Sequence, residues 1–337
     1  THYRETVPLA CKVMAIGISD FAVQYAGSVN CIPVYSWVYP QEKKQGFFDY
    51  AQATEILPYY IDHIGPYAYE KLANVESKTR FGGLENANTI FYNEKSITGT
   101  RRSESLLAHE IAHQWFGNMV TEKDWPHLWL SEGFASYMTI LYLQNKYGDD
   151  TARFLLKKDR LTVIGYAHSH PAPVVDTTVT DYMQLLNPNS YQKGSWVLHM
   201  IRQQCGDSLF WSSIRAFYKR YAGLNADTRD FQHILEEQTG RSWQYFFDQW
   251  LYRKDLPVLH IRSKQNAGGS GLELSISQLQ DGIFHFPLCI EAVSPSGERA
   301  RKTIAIKEKE TIISWKPSFP VAKLQADPDC QLLFEEK

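Results

Sequence analysis

The chain has 337 residues, 44% of them hydrophobic, and a formal net charge of −2. That length supports two or more buried cores, while the near-neutral balance and the lack of a basic block exclude a nucleic-acid or anionic-membrane footprint. No apolar run approaches the ~18–20 residues of a membrane-spanning helix, so no transmembrane segment is expected.

In chain order, Cys11–Ile18 (CKVMAIGI) is a strand-like run, and Ile32–Val38 (IPVYSWV) reads as a strand from its β-branched and aromatic content. Residues 45–63 carry a helical pattern with Phe48, Ala51, Ala53, Ile56 and Leu57 inward, and Pro58 is expected to kink or interrupt it. Leu72–Glu76 and Thr89–Tyr92 read as strands bracketing a glycine-rich segment, Gly82-Gly83-Leu84-Glu85-Asn86. From about Arg102 the pattern turns helical, with Ser103 as the expected N-cap. Further helices are expected near 128–147, 149–162, 191–204, 208–222, 228–239 and 242–252. Gly148-Asp149-Asp150 and Asn225-Ala226-Asp227 supply the cap signals between them. Lys157-Lys158-Asp159-Arg160 reads as a solvated helix face, and His168-Ser169-His170 as part of a proline-rich loop with no metal role.

After Pro257 the composition changes. Segments 258–262, 272–279, 286–293, 303–306, 311–315 and 323–326 read as strands, separated by turn chemistry at Ala267–Gly271, Asp281-Gly282 and Pro295-Ser296-Gly297. Six short strands at that spacing suggest a small β-sandwich that packs or spaces rather than reacts. Five scattered cysteines (Cys11, Cys31, Cys205, Cys289, Cys330) form no C-x-x-C pair. They read as mostly buried small hydrophobes, and with no signal-peptide pattern visible the compartment stays open.

The chemistry concentrates in His109-Glu110-Ile111-Ala112-His113, followed after 18 intervening residues by Glu132. Histidines at i and i+4 stand on one helix face, about 5–6 Å apart at Cβ, so both imidazoles can reach one tetrahedral ion. Ser105–Phe116 and Leu128–Ala135 both read as buried apolar helices. Two imidazoles and an acid there are costly unless something pairs them, and one shared metal pairs all three. Three ligands leave a fourth position open, as catalytic sites do. Zinc, one ion per chain, suits this donor set, although cobalt or manganese fits the same ligands. Glu110 lies beside that metal, placed to act as general base on a metal-bound water.

HEIAHQWFGN followed by LWLSEGFASY resembles the zinc aminopeptidases of the gluzincin clan, the family of aminopeptidase N and the leukotriene-hydrolysing enzymes. Gly82-Gly83-Leu84-Glu85-Asn86 is similar to that family's G-x-M-E-N exopeptidase motif, with Leu84 where Met is usual. Asn189-Ser190-Tyr191-Gln192-Lys193-Gly194 is similar to the segment bearing its catalytic tyrosine. The four segments fall in the family's order.

The resemblance implies an α+β fold: a thermolysin-like, mainly helical catalytic domain with a small β-sheet at 27–256, then a β-sandwich at 257–337. Residues 1–26 would be a remnant of the family's N-terminal β-domain, which otherwise helps wall the cleft. It implies hydrolysis of N-terminal residues from peptides with a free N-terminus, with Tyr191 stabilising the oxyanion and Glu85 pairing with the substrate's ammonium. Gly82 and Gly83 let the backbone approach substrate closely. Two rival readings stand beside this one: a zinc hydrolase of a non-peptide substrate such as an epoxide, and a non-catalytic scaffold on the same fold.

Overall fold

Five strands form the first sheet of the computed structural model, which describes residues 4–265 and 271–337. They are β1 (Ala22–Val29), β2 (Ile32–Val38), β3 (Leu72–Ser77), β4 (Gly83–Leu84) and β5 (Thr89–Asn93), in the spatial order β1-β2-β3-β5-β4. β3 is buried from Leu72 to Glu76 because it is the central strand, running parallel to both β2 and β5 and covered on both faces. β4 pairs antiparallel with β5 alone and so ends the sheet as a free edge. The β1–β2 hairpin carries this sheet back to residue 22, across the expected boundary at residue 26. The expected strand at Cys11–Ile18 does not form: Cys11–Val13 is a single 3-10 turn, and Ile16 and Ile18 are 90% and 94% exposed. Alternation alone does not make a strand where no neighbouring chain completes the ladder.

Helices α1 (Lys43–Tyr50) and α2 (Ala53–His63) pack on the sheet. The break falls at Ala51-Gln52, and Pro58 sits inside α2 rather than ending it. Phe48 points outward under the Arg101 guanidinium, and Asp49 turns inward instead. Its carboxylate accepts backbone N–H bonds from Thr98, Gly99 and Arg101, which fixes the approach to the next helix. That helix, α3 (Glu104–Ala112), lacks the expected Ser103 side-chain cap, because the Ser103 hydroxyl donates to the Ser96 carbonyl.

After the short strand β6 (Val120–Glu122) come α4 (Trp129–Tyr147), α5 (Asp149–Ser169), α6 (Gly194–Cys205) and α7 (Asp207–Tyr221). Then follow β7 (Leu224–Ala226), which pairs with β6, α8 (Thr228–Thr239) and α9 (Gln244–Leu251). Helix α4 is buried almost all round from Trp129 to Leu143, as a helix at the centre of a bundle must be. Asp227 and Asp230 close a reciprocal capping box on α8. Among the described residues no helix is long and apolar enough to cross a membrane.

The last part of the chain holds β8 (Val258–Gln265), β9 (Leu272–Gln278), β10 (Phe286–Val293), β11 (Arg299–Ile306), β12 (Glu310–Trp315), β13 (Lys323–Ala326) and β14 (Glu335–Glu336). They form one sheet in the order β11-β10-β13 and another in the order β12-β9-β8-β14. Residues 266–270, most of the expected glycine-rich turn, lie outside the described residues.

This β-region is riveted to the helices through Arg160, so the reading of Lys157–Arg160 as a solvated face holds for the exposed Lys157 and Lys158 but not for Arg160. The Arg160 side chain is mostly buried, bonds Asp327 and the Leu332 carbonyl, and lies between the Trp196 and Phe334 rings. His168, at the end of a helix longer than expected, reaches Glu335. Of the cysteines only Cys330 is buried; Cys11 and Cys31 are exposed, so most are not core residues.

A second rivet is His199, whose ring N–H donates to the Cys330 carbonyl while the other nitrogen accepts from the Tyr137 hydroxyl. Burial, reinforced by Arg202 and Arg160, pushes the imidazole down to about 4. The depressed value means that the unfolded chain takes up the proton first. Stability is therefore complete above about pH 6.5 and is lost as pH falls toward 4, by about 3 kcal/mol from this group. Urea unfolding from pH 7.5 to 4.5 is expected to show a smaller loss for His199→Gln than for the wild type; equal slopes would refute it.

Candidate active site

Helix α3 presents His109 and His113 to Glu132, which stands near the start of α4. The His109 and His113 Nε2 atoms are 3.0 Å apart, and each is 3.2 Å from a Glu132 oxygen. Donors bound about 2.0–2.1 Å from one tetrahedral ion stand roughly 3.3 Å from each other, so the trio has the spacing of three corners around a metal. The outer partners agree. His113 donates its Nδ1–H to the Phe116 carbonyl at 3.0 Å, which fixes the ring with Nε2 turned toward the trio.

The charges tell the same story. Burial opposes ionisation of Glu132, yet His113 and hydrogen bonds from both imidazoles hold its carboxyl well below the usual range. Burial likewise works against a charged His113, but the Glu132 carboxylate outweighs it and pushes the imidazole up to about 10. His109 is lowered, chiefly by burial. Two imidazoles and an acid collected in a buried place want a shared cation, and a divalent ion suits all three donors.

Glu110 occupies the next position on α3, facing the free edge. Burial pushes its carboxyl up to about 8, with Glu85 and Glu132 adding to the rise against His113. Gly83 lies directly over it: a β-carbon there would come within 2.3 Å of Glu110 Oε1. Only glycine lets β4 pass so close.

The Glu85 backbone is tied to the same helix region, because the Gln114 and Asn118 side-chain amides both donate to its carbonyl. Those two residues escaped the sequence reading, although both lie inside HEIAHQWFGN; side-chain amides contacting a distant carbonyl leave no periodic trace.

Tyr191 sits in a π-helical turn, Asn189–Lys193, immediately before α6. Its ring stacks 5.9 Å from that of His109. Burial, then the Glu132 charge, raises the phenol well above its ordinary value, so it remains a proton donor. The turn reaches the site because α4 and α6 touch at Gly133 and Gly194, where either added β-carbon would lie about 3 Å from the other glycine's backbone. A side chain at either position would push Tyr191 away from the trio.

The trio, Glu110, Glu85 and Tyr191 open onto one cleft of about 1040 Å³, between β4, α3, α4, α5 and the 180–192 segment. Gly82, Gly83, Glu85, His109, Glu110, His113, Glu132 and Tyr191, the residues singled out from sequence, all line it. Lys12, ion-paired with the buried Glu122, and Asp159 of α5 line it as well.

A family model described as the peptidase family M1 domain matches residues 48–250. The chain belongs to peptidase family M1. Aminopeptidase M1-C of Oryza sativa subsp. japonica is 30% identical over 298 residues, covering 82% of this chain and 33% of that protein. Probable aminopeptidase 2 of Sulfurisphaera tokodaii is 27% identical over 333 residues, covering 91% of this chain and 41% of the relative. The chain thus spans about a third to two fifths of the length of these M1 relatives. The crystal structure of Legionella pneumophila aminopeptidase A in complex with aspartic acid superposes with a TM-score of 0.79, at 16% identity, over 94% of this chain and 38% of that one. The chain therefore has the α+β fold of an M1 aminopeptidase.

Proposed function

We propose that this M1 chain is a zinc aminopeptidase that removes N-terminal residues from peptides. The observation that carries the reading is Glu85, a carboxylate at the end of a free strand edge whose backbone is bonded beside the ligand trio. An aminopeptidase must tell a terminal ammonium from an internal amide nitrogen, and a fixed carboxylate next to the reacting bond does so by charge pairing. Edge strand β4 offers its free backbone groups to an extended peptide.

His109, His113 and Glu132 hold the zinc ion, which when bound supplies a Lewis acid for the scissile carbonyl and acidifies water. Glu110 takes the proton of the attacking water and returns it to the leaving amine. The Tyr191 phenol donates to the carbonyl oxygen as negative charge builds there. Residues from the start of β1 to 256 form the catalytic unit in this reading, and the two sheets of 257–337 a β-sandwich that braces α5 and α6.

Aminoacyl-anilides compared with their N-acetylated forms test the claim. The free amine is expected to be cleaved at least about 100-fold faster, and Glu85→Gln to bring the ratio within tenfold, the worth of one charged hydrogen bond. Equal cleavage of blocked and free substrates by the wild type would remove the exopeptidase assignment.

A further inference from the structure

The cleft has a direction. Glu85 lies beside Gln114 and Asn118, just beyond the C-terminal end of α3, Gly83 lies over Glu110, and a β-carbon at Gly82 would meet Leu106 at 3.5 Å. The edge strand therefore runs along α3, and Glu85 marks where a substrate's ammonium stops. Beyond the cleaved bond, the peptide must continue toward Gly82 and Leu106.

Helix α4 leads the same way. Glu132 meets the two histidines, while ten residues on the Tyr142 hydroxyl bonds Glu104 at the far end of α3. Gly148, with a φ of 91°, then folds α5 back along α4. Asp159 comes level with Tyr137, roughly 7–8 Å along the axis from Glu132 at 1.5 Å per residue. Leu106, Ile140, Leu143 and Leu155 form the apolar wall there, with Asp159 and Lys158 at its rim.

Among the described residues Asp159 makes no ion pair, and burial pushes its carboxyl up to about 6, tempered only by Lys158. It is still charged at neutral pH. A half-buried carboxylate facing a cleft without a partner awaits a cation from outside the chain.

We propose that this lobe receives the side chain of the residue directly after the cleaved bond, and that Asp159 selects a basic one. The apolar wall takes the methylenes of lysine or arginine, and the carboxylate takes the charged head. The assignment rests on the aminopeptidase reading above and names the specificity of its leaving side.

The test uses the zinc-loaded chain and tetrapeptides Leu-X-Gly-Gly, with X as lysine, leucine or aspartate, scored by release of free leucine. The wild type is expected to cleave the lysine peptide about tenfold better in kcat/KM than the aspartate peptide. Asp159→Asn should bring that ratio near one, Asp159→Lys should invert it, and Lys158→Ala should raise it. Each ratio is taken within one variant, so a loss of folded protein cancels. An unchanged ratio in Asp159→Asn overturns the assignment of Asp159 while leaving the peptidase reading intact. Failure of the wild type to release leucine from any of the three, or from leucine anilide, overturns the peptidase reading and the inference with it.

Discussion

Glu110→Gln is expected to lower kcat on a free-amine anilide by about 10²–10⁴-fold, the usual worth of a positioned general base. Bound zinc should stay at one ion per chain, and the Tm should not fall. The structure argues for this separation. Glu110 lies between the two histidines in sequence, yet its carboxylate packs under Gly83 and is not one of the three clustered donors. Glutamine has nearly the same volume and keeps one carbonyl oxygen, so the close passage of β4 over α3 survives. The amide has lost the basicity to take a proton from water. The substitution also replaces a group whose ionised form the fold disfavours, since burial already pushes this carboxyl up to about 8. Metal analysis by mass spectrometry, the Tm and kcat measured on one preparation decide the matter. Wild-type turnover in Glu110→Gln would require another residue to move the proton, and the described cleft offers none so placed.

The parts of this site that are legible in the sequence are the local ones. An i, i+4 pair on an apolar helix states its own geometry, and the acid in LWLSEGFASY is conspicuous because it interrupts a buried face. Tyr191 is different: its place beside His109 depends on a π-helical turn and on a glycine-to-glycine contact between α4 and α6. No periodicity reports either, and only the SYQKG resemblance pointed there. Asp49, on which the pattern is silent, and Arg160, which reads as solvated, share one difficulty. Their partners lie 49 or more positions away, at Thr98–Arg101 and at Asp327–Leu332, so nothing local in the sequence marks a polar helix residue that the fold uses as a rivet. The C-terminal strands were readable because period-2 alternation and turn residues are again local. Cys11–Ile18 shows the limit of that signal, since a ladder needs a partner that the segment does not find.

Glu132→Gln should have the opposite signature to Glu110→Gln. It keeps the shape of the side chain but removes the one formal negative charge among the three proposed ligands. Zinc affinity is expected to fall by more than the ~10–100-fold lost with an outer-sphere partner, and turnover as purified to drop with it. Excess zinc should restore part of the activity, because both imidazoles and the base remain. Stability supplies the independent readout. Glu132 is buried against His109 and His113, and taking one member from such a group is destabilising by ~3–5 kcal/mol. Adding zinc to chelator-treated wild type should raise its Tm, since an ion that binds only the folded chain at 1,000 times its Kd contributes ~4 kcal/mol. The same addition should shift Glu132→Gln far less. Full zinc content and a wild-type Tm response in that variant would place the metal away from these three side chains. Glu132 would then not hold the ion, and its role would no longer be separable from that of Glu110.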